Sequence, residues 1–180
     1  GGLVDETEAR GLALHGAGMG ALFVDLDGDT DVDLVALARE RARLFVNQGG
    51  YFHEASALLG LPEGRWYTAV AAADIERDGD LDLYVTSYLR YDEAAMPPLE
   101  ESRYQREDPV AMLPYAFPGE VKSLLLNEPA EESTTDTAVQ SFGRRFRDVA
   151  PAGKLDDPAG RGMQALFWDF DRDGDLDLSL

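Results

Sequence analysis

Three acidic segments with one shared spacing constrain this chain more than any other feature of its sequence. They read DLDGDTDVDL at 25–34, DIERDGDLDL at 74–83 and DFDRDGDLDL at 169–178. Each has an acidic residue at positions 1, 3, 5, 7 and 9 and a leucine at position 10. Carboxylates this close repel each other by ~1 kcal/mol per pair in water and ~4 kcal/mol at the effective dielectric of a protein surface. A bound cation removes that repulsion, so we expect three metal-binding loops, called loops 1, 2 and 3.

The ligand chemistry favours calcium. Ca²⁺ accepts six to eight oxygen ligands in flexible geometry, whereas Mg²⁺ requires a stricter octahedron. We expect carboxylate oxygens from positions 1, 3, 5 and 9 and the backbone carbonyl of position 7. The sequence therefore predicts about three Ca²⁺ sites, formed by Asp25, Asp27, Asp29, Asp31 and Asp33 in loop 1; by Asp74, Glu76, Asp78, Asp80 and Asp82 in loop 2; and by Asp169, Asp171, Asp173, Asp175 and Asp177 in loop 3.

The three loops differ at two positions. Position 6 is Gly79 in loop 2 and Gly174 in loop 3, and glycine permits a sharp turn there. Thr30 occupies that position in loop 1, and a β-branched residue disfavours positive φ. We expect loop 1 to be strained or to bind metal most weakly. Glu76 adds a methylene at position 3 of loop 2, so we expect it to ligate differently or through water.

Two other interpretations of the loops are less consistent with the sequence. An EF-hand needs a glutamate at position 12 and flanking helices, but position 12 is Ala36, Val85 and Leu180, inside strand-like runs. Solvated Asp-rich turns would explain one such segment. They do not explain three segments in the same register of a repeat.

The sequence around the loops repeats as well, and it predicts strands. A short apolar run precedes each loop, and alternating apolar residues follow it, which indicates a strand with one packed face. A third strand is predicted at 43–50 and 122–129 and a fourth at 51–56 and 145–150, with Gly49 and Gly50 in a tight hairpin. The opening segment 3–8 resembles the fourth strand. Four short strands per unit of about 45–50 residues are typical of a β-propeller blade.

Two polar segments interrupt this pattern. The second unit contains an insertion at about 90–120 that is rich in proline and lacks periodicity, which predicts a long loop. Residues 128–141 are polar and predict a solvated excursion. We interpret residues 1–180 as a single propeller segment rather than as two domains.

Composition excludes several classes of function. The formal charge of −19 is unsuited to binding nucleic acid or an anionic membrane, since both need a positive surface. There is no cysteine, so disulfides and thiolate sites are excluded. The sequence predicts no membrane-inserted segment, and residues 1–10 lack the pattern of a signal peptide, so we expect any export signal to have been cleaved or to lie outside this chain.

The motifs DLDGDTDVDLVAL, DIERDGDLDLYVT and DFDRDGDLDLSL, with the strand pair LFVNQGGYFHEAS and its echo LLLNE and RFRDVA, resemble those of FG-GAP/VCBS repeat proteins. The blades of that family carry a Ca²⁺ loop between their first two strands, as in the integrin α-subunit propeller. The phrase AFPGEVKSLLLNE is similar to that in bacterial members associated with an ASPIC/UnbV segment. The resemblance implies an all-β fold of propeller blades with four antiparallel strands each.

This sequence departs from the family at Thr30, where a glycine is usual, and at 47–50, where NQGG replaces the usual hairpin. Only about two and a half blades fit the chain, whereas propellers of this family usually close with seven. We therefore expect a segment of a larger propeller, or open edges that a partner covers.

Two classes of function follow as expectations. The first is a non-catalytic, calcium-stabilised module of an exported protein, located extracellularly, at the cell surface or in the periplasm, that acts in adhesion, surface assembly or recognition. Its partner would be a protein, a glycan or the remaining propeller blades. The alternative is a carbohydrate-binding or enzymatic propeller that uses the 90–120 insertion. No catalytic constellation is recognisable, and the candidate residues for the alternative are His15, His53, Trp66, Tyr88, Tyr91, Tyr104 and Trp168.

Overall fold

The chain folds into three antiparallel sheets that follow one another along the sequence. The computed structural model describes residues 2–12, 14–92, 94, 117–131 and 137–180. Sheet 1 has the order β1-β2-β3-β4, sheet 2 has the order β5-β6-β7-β8, and sheet 3 consists of β9 and β10. The strands are β1 Gly18–Val24, β2 Asp33–Ala38, β3 Ala42–Gln48, β4 Tyr51–Glu54, β5 Tyr67–Ala73, β6 Asp82–Ser87, β7 Ser123–Pro129, β8 Arg144–Asp148, β9 Leu166–Trp168 and β10 Asp177–Ser179.

The predicted fold class is confirmed: the chain is all-β, with four-stranded antiparallel sheets of the kind found in propeller blades. Each acidic loop connects the first and second strand of its sheet, as expected. The hairpin between β3 and β4 is also as predicted. Gly49 and Gly50 have φ of +63° and +88°, which suits the tight turns that match strand twist.

The predicted strand at residues 3–8 is wrong. This segment forms no strand, and hydrogen bonds from Arg10 N to the Glu6 carbonyl (2.8 Å) and from Leu12 N to the Thr7 carbonyl (2.9 Å) close turns after it. The carboxylate of Asp5 accepts a hydrogen bond from Thr7 N at 3.0 Å. Such local side-chain acceptors compete with sheet pairing.

The strands after loops 1 and 2, β2 and β6, bury both of their faces, not the single face that the alternation predicted, whereas β10 after loop 3 is largely exposed. On β2, Val35 and Leu37 pack into a core shared with Leu83 and Val85 of β6. The alternate residues, such as Leu34, are also buried, in a second cluster on the opposite face of sheet 1. Both faces of β2 therefore pack against other parts of the chain, and no residue of this strand is exposed.

Sheet 2 lies between sheets 1 and 3. Its face away from sheet 1 buries Tyr84 and Leu124, which contact Phe167 and Leu178 of sheet 3. The rings of Tyr84 and Phe167 meet edge to face at 6.4 Å, and the Tyr84 hydroxyl donates to the Leu155 carbonyl at 2.7 Å. The sheets are therefore stacked in chain order.

Helices are short and occupy connections. A 3-10 turn spans Ser56–Leu59, α1 spans Thr137–Phe142 and α2 spans Ala150–Gly153. Phe142, directly after the polar segment 128–141, is only 5% exposed and packs into the core between sheets 1 and 2. The described side chains of the segment itself, at 128–131 and 140–141, are exposed or half-buried, as its composition predicted. Among the helices of the described residues, none combines the length and apolarity needed to cross a membrane.

The two ends of the 90–120 insertion pair with each other. Leu89 forms an isolated antiparallel bridge with Gly119, and Arg90 N donates to the Pro118 carbonyl at 3.0 Å. Most of the predicted loop, including Tyr104, lies outside the described residues, as do residues 132–136 of the second polar segment. The interpretation of 1–180 as a single propeller segment stays a prediction.

Candidate metal centres

The carboxylate at position 1 of each loop accepts hydrogen bonds from backbone nitrogens later in the same loop, and these bonds hold the loop in its turn. In loop 1, the oxygens of Asp25 accept hydrogen bonds from Gly28 N at 2.8 Å and from Thr30 N at 3.0 Å. Position 1 serves the same purpose in the other loops. The equivalent bonds run to Asp74 from Asp78 N and Gly79 N, both at 3.0 Å, and to Asp169 from Gly174 N at 3.1 Å.

The carboxylate at position 9 connects three strands. Asp33, which is fully buried, accepts from Leu26 N at 3.0 Å and from Asn47 N of β3 at 2.9 Å. Asp82 repeats this arrangement in sheet 2, with Ile75 N at 3.0 Å and Asn127 N of β7 at 2.9 Å. In sheet 3, Asp177 accepts from Phe170 N at 2.8 Å. One side chain thus holds the loop entrance, the start of the second strand and the third strand together.

The asparagines at the ends of the third strands were missed at the sequence level. Asn47 Nδ2 donates to the Val32 carbonyl at 3.0 Å, and Asn127 Nδ2 donates to the Leu26 carbonyl in loop 1 at 2.7 Å. The second bond joins sheet 2 to the metal loop of sheet 1. The sequence does contain an indication of their shared role, because an asparagine directly follows each of the two strand segments RLFV and SLLL.

Backbone strain is present in all three loops, whereas the sequence predicted it in loop 1 only. Thr30 has φ of +79°, so the predicted strain in loop 1 is present. Position 4 also has positive φ in every loop, and there loop 1 has Gly28 at +80° whereas Arg77 and Arg172 are at +59° and +65°. Each loop therefore has one glycine and one strained residue across positions 4 and 6. Weaker metal binding by loop 1 stays a prediction.

Three carboxylates converge in loops 1 and 3. Within each group, one oxygen per residue lies within 4.8 Å of the oxygens of the others; the groups are Asp25, Asp27 and Asp33, and Asp169, Asp171 and Asp177. In the part of the chain that the structure describes, loop 2 has no such group. Position 3 of that loop is the longer Glu76, which is exposed.

The remaining predicted ligands lie beside these groups. At position 5, Asp29, Asp78 and Asp173 each accept a hydrogen bond from the backbone nitrogen of position 7, at 2.8, 3.0 and 2.9 Å. The position 7 carboxylates face donors outside their own loops. Asp31 accepts from Gly49 N at 2.8 Å, Asp80 pairs with Arg144, and Asp175 pairs with Arg77 of loop 2.

Because several loop carboxylates are buried, their ionisation in the absence of a bound cation costs free energy. Desolvation raises the pKa of Asp33 to about 6, reinforced by the charges of Asp27 and Asp29 and opposed by the hydrogen bonds from Asn47 and Leu26. Desolvation also raises the pKa of Asp82 and of Asp27. A buried anion needs a partner charge or strong hydrogen bonds. A cation at the converging oxygens supplies such a charge.

An unpartnered oxygen supports the same conclusion. Asp169 Oδ1 is buried and accepts no hydrogen bond from the described residues. Such an acceptor carries a desolvation penalty unless a ligand satisfies it. Asp169 belongs to the converging group of loop 3, and the donor set of that group is entirely carboxylate oxygen. The residues present therefore fit a hard divalent cation.

The other candidate residues do not converge with the loops. Trp66 meets Tyr88 and Tyr91 edge to face, with ring centroids 5.3 and 6.1 Å apart, at the base of the insertion. Trp168 packs against Phe170 at 5.0 Å and donates to Ser179 Oγ at 3.0 Å. His15 and His53 line two separate cavities of sheet 1.

A comparison with family models finds one match. The FG-GAP-like repeat model matches residues 25–85, the segment from loop 1 to strand β6. No curated protein matches the chain. The resemblance to ASPIC/UnbV-associated proteins stays a prediction.

We predict that metal-free protein becomes less stable as the pH rises. The raised pKa means that folded Asp33 holds its proton more tightly than unfolded Asp33. This contribution is full below pH 3.8 and is lost as the pH passes about 6. Over the whole window the loss amounts to about 3 kcal/mol, of which about 1–1.5 kcal/mol falls between pH 5 and pH 7. Urea denaturation in chelator at pH 5 and pH 7 measures it.

The matched variants for this test are Asp33→Asn and Asp31→Asn, which remove the same charge from the same loop. We expect Asp33→Asn to flatten the pH dependence, because it removes the buried carboxylate whose pKa is raised, and we expect Asp31→Asn to leave it largely unchanged. Equal slopes in the two variants would contradict the assignment to Asp33.

We also predict that two arginine–aspartate ion pairs of the acidic loops differ in strength. The side chains of Arg144 and Asp80 are 18% and 20% exposed, whereas those of Arg77 and Asp175 are 66% and 77% exposed. Arg144→Ala should destabilise the metal-free protein by about 1–3 kcal/mol, because the pair is shielded from solvent. Arg77→Ala should cost roughly 0–1 kcal/mol. Denaturation midpoints at low and high salt measure both, and equal losses would count against this ranking.

Proposed function

We propose that this chain, which contains an FG-GAP-like repeat at residues 25–85, is a calcium-stabilised β-propeller module that acts outside the cell in adhesion, surface assembly or protein recognition, without catalysis. The proposal rests on the observation that the loop carboxylates have two roles. The same side chains that hold the strands together also present converging oxygens to a cation.

The loops supply the ligands and the rigidity of each site. Asp25 fixes the turn through two backbone hydrogen bonds, and Asp33 fixes the second and third strands. Because the side chains at position 7 are occupied by other donors, that position contributes through its backbone carbonyl. Calcium, when bound, neutralises the carboxylates and draws the ends of the loop together.

Calcium binding at this scale is sufficient to decide whether the module is folded. At a concentration about 100-fold above the dissociation constant, one site adds ~2.7 kcal/mol to stability. A whole domain is stable by roughly 5–15 kcal/mol. Extracellular calcium modules commonly bind with dissociation constants of ~10⁻⁴–10⁻³ M, which suits an exported protein better than a cytosolic one. FG-GAP repeats are typical of exported proteins, which supports the same location.

The proposed partner is a protein, a glycan or further propeller blades. Nucleic acid is unsuited to a chain of charge −19. The metal loops act as a structural element of each blade, so recognition is assigned to surfaces elsewhere on the module.

A carbohydrate-binding role for the 90–120 insertion is the second candidate. The favouring observation is the aromatic cluster of Trp66, Tyr88, Tyr91 and Phe117 at the base of the insertion. However, the guanidinium of Arg39 already lies over the rings of Trp66 and Tyr91, at 5.5 and 4.4 Å from their centroids. A glycan-array screen of the chain with and without residues 91–119 separates the two candidates, because only the second requires the insertion for glycan binding.

We predict that calcium binds chelator-treated protein and raises its melting temperature. Calorimetric titration should give about three sites. The double variant Asp169→Asn/Asp171→Asn should lose one of them, because it removes two ligands from a single loop, while the variant Asp156→Asn, outside the loops, should keep all of them. The absence of binding heat together with an unchanged melting temperature would refute the proposal.

A further inference from the structure

An arginine lies between successive acidic loops at both of the junctions that the structure describes. At the junction of loops 2 and 3, Arg77 is position 4 of loop 2 and pairs with Asp175, position 7 of loop 3. At the junction of loops 1 and 2, Arg144 pairs with Asp80, position 7 of loop 2. The guanidinium of Arg144 also lies beside position 4 of loop 1, because a Cβ added to Gly28 would be 4.0 Å from its Nη2. Each junction therefore has a guanidinium between position 4 of one loop and the position 7 carboxylate of the next.

Two residues of this pattern lack such a partner. Arg172 is position 4 of loop 3, and its φ of +65° is close to the +59° of Arg77, so the two arginines share a backbone conformation. Within the described residues, the exposed side chain of Arg172 makes no hydrogen bond or ion pair. Asp31 is position 7 of loop 1 and accepts a hydrogen bond from Gly49 N, but no arginine or lysine in the described part of the chain pairs with it. Loop 3 thus presents a cation and loop 1 presents the carboxylate that such a cation binds at the other junctions.

The face of sheet 3 that turns away from sheet 2 is apolar and exposed. Its side chains Leu166, Trp168 and Phe170 are 52%, 43% and 69% exposed, whereas Phe167, which alternates with them, packs toward sheet 2. Phe170 is position 2 of loop 3. The position 2 residue of loop 1, Leu26, is buried in the core between sheets 1 and 2. Sheet 3 therefore presents a face that in sheet 1 is covered by a further sheet.

The face of sheet 1 that turns away from sheet 2 has the complementary positions. Phe23 lies two residues before loop 1, as Phe167 lies two residues before loop 3, and Phe167 packs against the preceding sheet. Val32 is position 8 of loop 1, and its equivalent Leu81 packs into the core that sheet 2 shares with the preceding sheet. Phe23 and Val32 are 57% and 47% exposed. Sheet 1 therefore presents the kind of surface on which sheets 2 and 3 receive their predecessors.

We propose that this chain associates head to tail with a second copy of itself. Sheet 3 of one copy stacks on sheet 1 of the next, and Arg172 of the first copy pairs with Asp31 of the second. The inference deepens the proposed function by naming the partner, and it rests on that proposal in assigning recognition to a protein.

The apolar faces and the ion pair have different roles in this contact. An exposed ion pair contributes little to affinity, so burial of the aromatic side chains supplies most of it. The ion pair sets the register and disfavours other partners. Because the two surfaces differ, the contact is heterologous, and one copy binds a neighbour on each side. The side chains at positions 4 and 7 are not among the expected metal ligands, so docking leaves the metal sites in place.

Sedimentation velocity of the intact chain in calcium, over a range of protein concentrations, tests the proposal. We expect the average mass of the unaltered chain to rise with concentration. Arg172→Asp and Asp31→Arg each place like charges across the contact, and each should weaken self-association roughly tenfold or more. An equimolar mixture of the two variants should associate again, because every contact between unlike copies then joins opposite charges.

Lys154→Asp is the matched control. Lys154 is exposed and has φ of +58°, so its substitution makes the same change of charge in the same backbone conformation as Arg172→Asp, but outside the loops. It should leave self-association unchanged. Recovery in the mixture also distinguishes a lost ion pair from a damaged fold, because two misfolded variants would not restore each other.

Three results would overturn the inference: a mass that stays that of a single chain at every concentration, equal weakening by Lys154→Asp and Arg172→Asp, or a mixture that associates no better than either variant alone. A calcium-induced rise in melting temperature in a chain that stays monomeric would refute only this inference. Self-association that recovers in the mixture, in a chain that shows neither calcium binding nor a change in melting temperature, would instead refute the proposed calcium dependence.

Discussion

The rest of the structure depends on a buried carboxylate that holds a loop and two strands together. Asp33 in sheet 1 and Asp82 in sheet 2 are almost fully buried, and each accepts a hydrogen bond from the loop and another from the third strand. A buried anion with two neutral donors is incompletely stabilised, which the raised pKa of Asp33 expresses. The neighbouring acidic side chains increase that cost, and a cation removes it. The architecture and the proposed metal dependence therefore have one origin.

The same carboxylates explain how successive sheets keep their relative positions. Apolar side chains of β2 and β6 and their neighbours join sheet 1 to sheet 2 and sheet 2 to sheet 3. Specific polar contacts join them at the loop end, where Asn127 of sheet 2 binds the Leu26 carbonyl and Arg77 binds loop 3. Apolar packing is non-directional, whereas these bonds fix one register between the loops. The opposite end carries the insertion, so the metal sites and this candidate recognition surface are separated.

Local patterns predicted local structure well. The acidic spacing located all three loops, the alternation of apolar residues located the second strands, and the paired glycines located the hairpin at Gly49 and Gly50. The errors lie where distant residues decide the outcome. Phe142 is buried by sheets that are remote in sequence, and nothing in the polar segment before it indicates that burial. Partners such as Arg144 and Asp80, 64 residues apart, leave no periodic signal in a single sequence.

The most direct test of this account is amide hydrogen exchange at Asn47 and Asn127, the donors to the position 9 carboxylates. If calcium neutralises the loops and thereby strengthens their hold on the third strands, these two amides should exchange markedly more slowly in calcium than in chelator. The amide of Leu58, in the 3-10 turn away from the loops, should change only as much as global stability does. Exchange at Asn47 and Asn127 that is the same with and without calcium would contradict the account.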